Sequence, residues 1–279
     1  MDTLAVYLFG HNLEKIRYPY LESIESALDL TRFVNGQGAV YYGECDSIDD
    51  SLLRITTRFN REIANGELNL RRHPWGDHHT IQAYICNFLL NEIGTRYEFA
   101  LKLDADEVIH EASFEAFRHD LGSMALRRVP LGRPTYTHFC PDFGTTFPFI
   151  YDSKAVLSRT HAGLRYDTGK GGDACALGGG AEWQTRLQIM HYGKVHTGRM
   201  PEALEKERSF QELYTELGFP DPKVKAQWEQ GYLDYMRVFD VAASRGEFQP
   251  FSGTHPRYMT DYIQAALERQ RAFDEQVAA

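Results

Sequence analysis

Cysteine is scarce in this chain: Cys45, Cys86, Cys140 and Cys175 are the four among 279 residues. No two form a Cys-x-x-Cys pair, and their spacings match no zinc knuckle, so a structural zinc site is not what organises the chain. They read as reduced thiols in a cytoplasmic protein. Long apolar runs are also missing, and no stretch approaches the ~20 apolar residues of a membrane-spanning helix. The opening MDTLAVYLFGHN has an acidic second residue and only a short apolar run, which fits neither a signal peptide nor an anchor. Positive charge is in deficit. A formal net charge of −9 argues against nucleic acid as the partner, since phosphate binding needs a clustered basic surface. The chain has no Gly-x-Ser-x-Gly elbow and no His-Glu-x-x-His helix, which weighs against a hydrolase. The glycine cluster DTGKGGD at 167–173 lacks the Gly-Lys-Ser/Thr ending of a phosphate loop. There is no internal repeat and no low-complexity linker.

What is present is an alternation of short apolar strands and amphipathic helices. Leu4 to Phe9 is a β-prone apolar run closed by Gly10, the pattern of a buried parallel strand. Pro19 suits the first turn of a helix whose Leu21, Ile24 and Leu28 recur at helical spacing. Ala39 to Tyr42 predicts a second strand, followed by the acidic turn GECDSIDDS. There Asp49, Asp50 or Ser51 can cap a helix carrying Leu52, Ile55, Phe59 and Ile63. Leu68 to Arg71 predicts a short third strand broken at Pro74-Trp75-Gly76. A helix from about Thr80 carries Ile81, Tyr84, Ile85, Phe88 and Leu89 and stops at Gly94. Glu98 to Leu103 is the central strand. This order predicts an α/β fold built on a doubly wound, mainly parallel sheet with right-handed crossovers. Ligands of such sheets bind beyond the carboxyl ends of the strands.

The second half changes character. Ala125 to Val129, Thr135 to Phe139, Phe147 to Ser158 and Arg186 to His191 read as strands among prolines and glycines. From Pro201 onward the pattern is helical, with segments to about Leu217, from Gln227 to Ala243 and from Tyr262 to Ala278. The expected division is a domain over 1–218 and a helical C-terminal extension over 219–279. Tyr262, Ile263, Ala266 and Leu267 on one side of the last helix offer either a homodimer contact or a face that packs on the domain.

The stretch around which the rest is arranged is Phe99 to Glu111, FALKLDADEVIHE. It begins as a buried strand and ends in Asp104, Asp106, Glu107 and Glu111. If strand geometry continues past Leu103, Asp104 and Asp106 share a face. Paired carboxylates at a strand end are hard oxygen ligands suited to Mg²⁺ or Mn²⁺. Read without context, the same residues are a polar turn with a helix-capping aspartate.

The run Asp104-Ala105-Asp106-Glu107-Val108-Ile109-His110-Glu111, with His191-Tyr192-Gly193 and the predicted helix from Met200 to Tyr214, resembles the family-two-type glycosyltransferases of GT-A fold. It is most similar to the bacterial and phage branch with an x-Ala-Asp-Glu-Val-x-His-Glu motif. The likeness spans roughly 4–215. It implies a nucleotide-diphospho-sugar transferase type of fold and a divalent metal, Mn²⁺ or Mg²⁺, held by Asp106 and His191. It also implies donor binding by Phe9, Asp46 and Asp104, with Gly10-His11-Asn12 lining the same pocket. The turn Asp46-Ser47-Ile48-Asp49-Asp50-Ser51 lacks the glycines usual in that family, which changes the loop's shape. His110 and Glu111 would support the motif from behind.

An inverting transfer needs a carboxylate to take the acceptor proton. Asp167, Asp173 and Glu182 are candidates. Asp173 matches the family's Gly-Asp position and is preferred. Lys194 and Arg199 are candidates for phosphate contact, and Trp75, Trp183, Tyr136 and His138 for stacking on a sugar ring. The expected activity is metal-dependent transfer of a sugar from a nucleotide-diphosphate sugar to a hydroxyl of a glycan, a lipid-linked sugar, a protein or a modified base. The alternatives are a non-catalytic nucleotide- or carbohydrate-binding protein of the same fold, and a nucleotidyltransferase. The latter lacks its basic glycine-rich N-terminal signature here.

Overall fold

A computed structural model describes residues 2–76, 80–147, 155–168, 180–193, 195 and 244–278. The described elements begin with strand β1 (Asp2–Gly10), helix α1 (Leu13–Ile16), helix α2 (Tyr20–Asn35), β2 (Val40–Glu44), α3 (Ser51–Arg58) and α4 (Asn60–Ala64). Then come β3 (Leu68–Arg72), α5 (Ile81–Ile93), β4 (Tyr97–Lys102), β5 (Glu107–Ile109), α6 (Phe114–Arg127) and β6 (Leu131–Phe139). The last are β7 (Thr145–Phe147), β8 (Leu157–Arg159), β9 (Glu182–His191), β10 (Gln249–Pro250) and α7 (Thr260–Ala278).

The centre of the sheet is parallel, in the order β4-β1-β2-β3. It continues through antiparallel β8, β6, β7 and β10. β9 runs parallel to β6 and carries β5 antiparallel on its other side. The result is a mixed α/β fold with a mostly parallel centre and a C-terminal helix. Among the described residues no helix is long and apolar enough to cross a membrane.

β1 alternates between two cores, as a strand buried on both faces must. Leu4, Val6 and Leu8 enter a core with α2, α3 and α6, while Ala5 and Tyr7 enter a second core with α5. Fully burying one Leu, Ile or Phe side chain contributes about 1.5–3 kcal/mol. Exposed ion pairs such as Arg54–Glu14 contribute ~0–1 kcal/mol. The two apolar layers, not the surface charge, therefore hold the sheet.

Helix α2 is joined to this sheet by hydroxyls and an amide placed on its inner side. Asn35 accepts the Thr3 and Leu4 N–H groups at 3.1 Å each and donates to the Leu4 carbonyl at 2.7 Å, tying the helix end to the start of β1. Gly36, at φ 81°, then ends the helix. Buried Ser23 and Ser26 reach the β4–β5 turn: Ser23 Oγ donates to the Ala105 carbonyl (3.1 Å), and Ser26 Oγ accepts from the Ile109 N–H (3.2 Å).

One expectation changes. Ala125 to Arg127 form the last turn of α6, not a strand, because Phe114, Phe117, Leu121 and Met124 put a helical apolar stripe on the core. The stretch expected as a strand from Phe147 to Ser158 is strand at both described ends: β7 pairs with β6 and β10, and β8 pairs with β4 and β6. Residues 148–154 lie outside the described residues. Of the expected C-terminal extension, residues 244–278 are described, and they pack on the domain, one of the two outcomes expected. β10 joins the sheet, and Tyr258, Met259 and Ala266 share a core with Val108, Phe139, Met190 and Tyr192. Tyr262 and Ile263 pack on that core. The predicted helices before residue 244 lie outside the described residues.

This C-terminal strap holds a half-buried His255, whose Nδ1 is 2.9 Å from the Tyr192 hydroxyl, with its ring among Phe139, Phe143 and Phe251. Burial holds the imidazole below the ordinary histidine range, with the nearby His110 acting the same way and a hydrogen bond to the Phe143 backbone opposing it. The unfolded chain thus takes up a proton first. The contribution of neutral His255 is complete above the ordinary histidine pKa and is lost as pH falls through the lowered value. Protection factors of the amides across 249–263, with the pH dependence of intrinsic exchange divided out, should fall on acidification from neutral pH to about pH 5, and His255→Gln should flatten that response. Equal protection at both pH values in the unsubstituted chain would disprove it.

Candidate functional site

The loops that follow β1, β2 and β3 meet at the carboxyl edge of the sheet. They enclose a cleft of ≈ 780 Å³ lined by His11, Asn12, Lys15, Asp46, Asp49 and Trp75 among others. The loops are laced together by short polar groups. Asn12 Oδ1 accepts the Ile48 N–H at 2.8 Å, Ser47 Oγ accepts the Asn12 N–H at 3.1 Å, and Asp49 Oδ2 accepts the Lys15 N–H at 2.9 Å. Asn12 and Asp46 both sit at φ 51°, a left-handed conformation that Asn and Asp tolerate better than other non-glycine residues. These residues let the loop turn without glycine.

Asp46 Oδ2 accepts the Trp75 N–H at 3.2 Å, and the Trp75 ring stacks on His11 at 4.8 Å and 3°. His11 Nδ1 donates to the Cys45 carbonyl at 2.5 Å. Its Nε2 therefore accepts from Asn12 Nδ2 at 2.9 Å, which fixes the tautomer. Burial pushes the Cys45 thiol well up, so it is not a nucleophile. Phe9, at the end of β1, packs half-buried on the second core beside Gly43.

The carboxylates of the motif do not share one face. β4 ends at Lys102, and the chain turns at once: the Glu107 N–H donates to the Asp104 carbonyl (3.0 Å), and the Asp104 N–H donates to the buried Glu107 carboxylate (2.9 Å). Asp104 pairs with Lys102 Nζ at 2.6 Å, an ammonium only 8% exposed. Asp106 points instead toward β9, where its Oδ2 lies 3.4 Å from His191 Nε2. The Tyr192 N–H donates to the Asp106 carbonyl at 2.8 Å, which locks this turn to the end of β9. Gly193 keeps the space beside the pair clear, since a Cβ there would stand 2.1 Å from Asp106 Oδ2 and 3.0 Å from His191 Nε2.

His110 and Glu111 hold the C-terminal strap. His110 Nδ1 accepts the Ala112 N–H, so Nε2 carries the proton and donates to the Thr254 carbonyl at 3.0 Å. Glu111 accepts the Arg257 N–H at 3.2 Å.

Of the residues singled out from sequence, the structure brings Asp106 and His191 together and places Asp46 with His11 and Trp75. Asp104 it gives to Lys102, which sequence reasoning passed over although it alternates with apolar residues in the same strand. Asp173, Lys194 and Arg199 lie outside the described residues. Glu182 begins β9 and pairs with Arg133, about 30 Å of strand away from His191 at ~3.3 Å per residue, too far to serve the same centre. Asp167 is exposed. Trp183 packs on the core under Arg127, and Tyr136 is itself core, so neither offers a ring face to a sugar. Among the described residues no group of three or more His, Cys, Asp or Glu is arranged to hold a metal. Asp106 and His191 offer one oxygen and one nitrogen at a separation that two ligands of one ion adopt, a donor set that suits Mn²⁺.

No protein-family model matches the chain, and a search of curated proteins finds no match.

Replacing Asp46 with Ala removes the acceptor of the Trp75 N–H and leaves an unsuited residue at positive φ. The expected cost is about 1–2 kcal/mol, with a shift in tryptophan emission as the Trp75–His11 stack loosens. Unchanged emission together with unchanged stability would contradict the assignment.

Proposed function

We propose that this chain is a metal-dependent glycosyltransferase that moves a sugar from a nucleotide-diphosphate sugar to an acceptor hydroxyl, with inversion. The observation that carries the reading is the Asp106–His191 pair, set at the carboxyl edge of a parallel sheet and kept open by Gly193. The motif's likeness to the family-two-type GT-A enzymes, from Asp104 to Glu111 and at His191-Tyr192-Gly193, points the same way. The cleft of His11, Asp46 and Trp75 lies on the same edge and suits a nucleoside: an aromatic stack for a ring and carboxylates for N–H and hydroxyl donors.

In this reading Asp106 and His191 hold the divalent ion, Mn²⁺ or Mg²⁺. When bound, such an ion neutralises charge on a departing diphosphate. Lys102 holds Asp104 in an ion pair turned away from Asp106, so in this reading Asp104 faces the donor's ribose or a water and not the ion. Asp173 takes the proton of the acceptor hydroxyl as it attacks the anomeric carbon. In this reading the reaction takes place in the cytoplasm.

Thermal unfolding against a panel of nucleotides and nucleotide sugars, with and without Mn²⁺, tests this. A ligand that binds only the folded chain stabilises it by RT ln(1 + [L]/Kd), about 2.7 kcal/mol at a hundredfold excess over Kd. One nucleotide diphosphate should give a metal-dependent rise, lost in Asp106→Asn. A panel with no rise would sink the proposal. Gly193→Ala should also abolish the metal-dependent part, because its Cβ displaces the Asp106 carboxylate, while the metal-independent melting point stays near that of the unsubstituted chain.

A further inference from the structure

His138, a sequence candidate for stacking on a sugar ring, lies instead directly against the candidate ligand. β6 and β9 run parallel, with Tyr136 opposite Ile189, Thr137 opposite Met190 and His138 opposite His191. Residues paired in this way present their side chains on the same face. The two imidazoles meet with Nδ1 of His138 3.2 Å from Nδ1 of His191, rings inclined at 67°. His138 is 8% exposed and its ring is stacked on that of the buried Tyr136, 5.6 Å away at 14°. It is therefore held where it is.

Two ring nitrogens facing each other bond only if one carries a proton and the other a lone pair. The proton's position decides what His191 presents to Asp106. With the proton on His138, His191 Nδ1 is the acceptor and Nε2–H faces Asp106 Oδ2 across 3.4 Å, beyond the range of a good hydrogen bond. With the proton on His191 Nδ1, the Nε2 lone pair stands beside the carboxylate oxygen, and the two electron-rich atoms converge on one place. Only a cation makes that second arrangement favourable. His138 is not a third ligand, since its Nδ1 is directed at the other nitrogen of His191 and not toward Asp106.

We propose that His138 is the positioning residue of His191: it accepts the His191 Nδ1–H and so fixes Nε2 as the metal-ligating nitrogen. The inference rests on the reading of Asp106 and His191 as ligands of one ion. A histidine ligand's second nitrogen needs such a partner to set its tautomer and ring orientation, and loss of the partner typically weakens metal binding about 10–100-fold.

The test is titration with Mn²⁺ alone, followed by electron paramagnetic resonance of the free ion, on the full chain and two variants. His138→Phe keeps the ring and its stacking on Tyr136 but has no acceptor, and should weaken Mn²⁺ binding about 10–100-fold. His138→Asn places an amide oxygen near the former Nδ1 and should recover most of the loss, which a merely space-filling role would not predict. With Cd²⁺ as a diamagnetic replacement, nitrogen-15 spectra should show His138 with its proton on Nε2. Equal Mn²⁺ affinity in His138→Phe, an Asn variant no better than Phe, or a His138 proton on Nδ1 would overturn this inference and leave the metal reading standing. No Mn²⁺ binding by the unsubstituted chain would overturn both.

Discussion

Burial of β1 on both faces is the constraint from which the rest follows. A strand with apolar side chains above and below needs a helical layer on each side and a strand at each edge. α2 and α5 supply the layers, and β2 and β4 supply the edges. Because these strands run in one direction, their carboxyl ends fall on a single edge. The loops after them then have no choice but to meet there. The cleft at His11, Asp46 and Trp75 and the turn at Asp104–Asp106 are products of that alignment.

Within this frame, the exact placement of Asp106 is a matter of hydrogen bonds and not of burial. Ser23 and Ser26 of α2 hold the backbone on either side of it, and Tyr192 holds its own carbonyl. Two separate elements, α2 and the end of β9, therefore fix the backbone that carries this carboxylate. Asp104, two residues earlier, is set by a buried ammonium from the preceding strand. Neighbouring aspartates of one short motif thus meet different surroundings, an ammonium for Asp104 and an imidazole for Asp106.

Much of the first half was legible in the sequence, because strands such as Leu4–Phe9 and helices such as Ile81–Ile93 announce themselves through local periodicity. Misreadings fell where local pattern and tertiary partner disagree. Ala125-Leu126-Arg127 looks β-prone next to Val129, but it completes a stripe that begins at Phe114. The carboxylates of the motif suggested a continued strand, and the Glu107 side chain curls the backbone instead by accepting the Asp104 N–H. Of the candidate site, the Asp106–His191 contact joins two residues proposed from the motif, and the Asp46–Trp75 bond involves one proposed from its place after the second strand. The Lys102–Asp104 pair could not be foreseen, since a lone lysine in an apolar run carries no sign of what it will face. Nor could the contact between His138 and His191, which depends on the register of two strands 53 residues apart.

The bond from His110 to Thr254 joins positions 144 residues apart. The ribosome delivers residues at ~5–20 per second, so roughly 7–30 s separate the emergence of the two partners. Throughout that interval the Asp104–Glu111 turn exists without its clasp. The residues of the parallel centre of the sheet therefore emerge early, while β10 and the partner that anchors the Asp104–Glu111 turn emerge late.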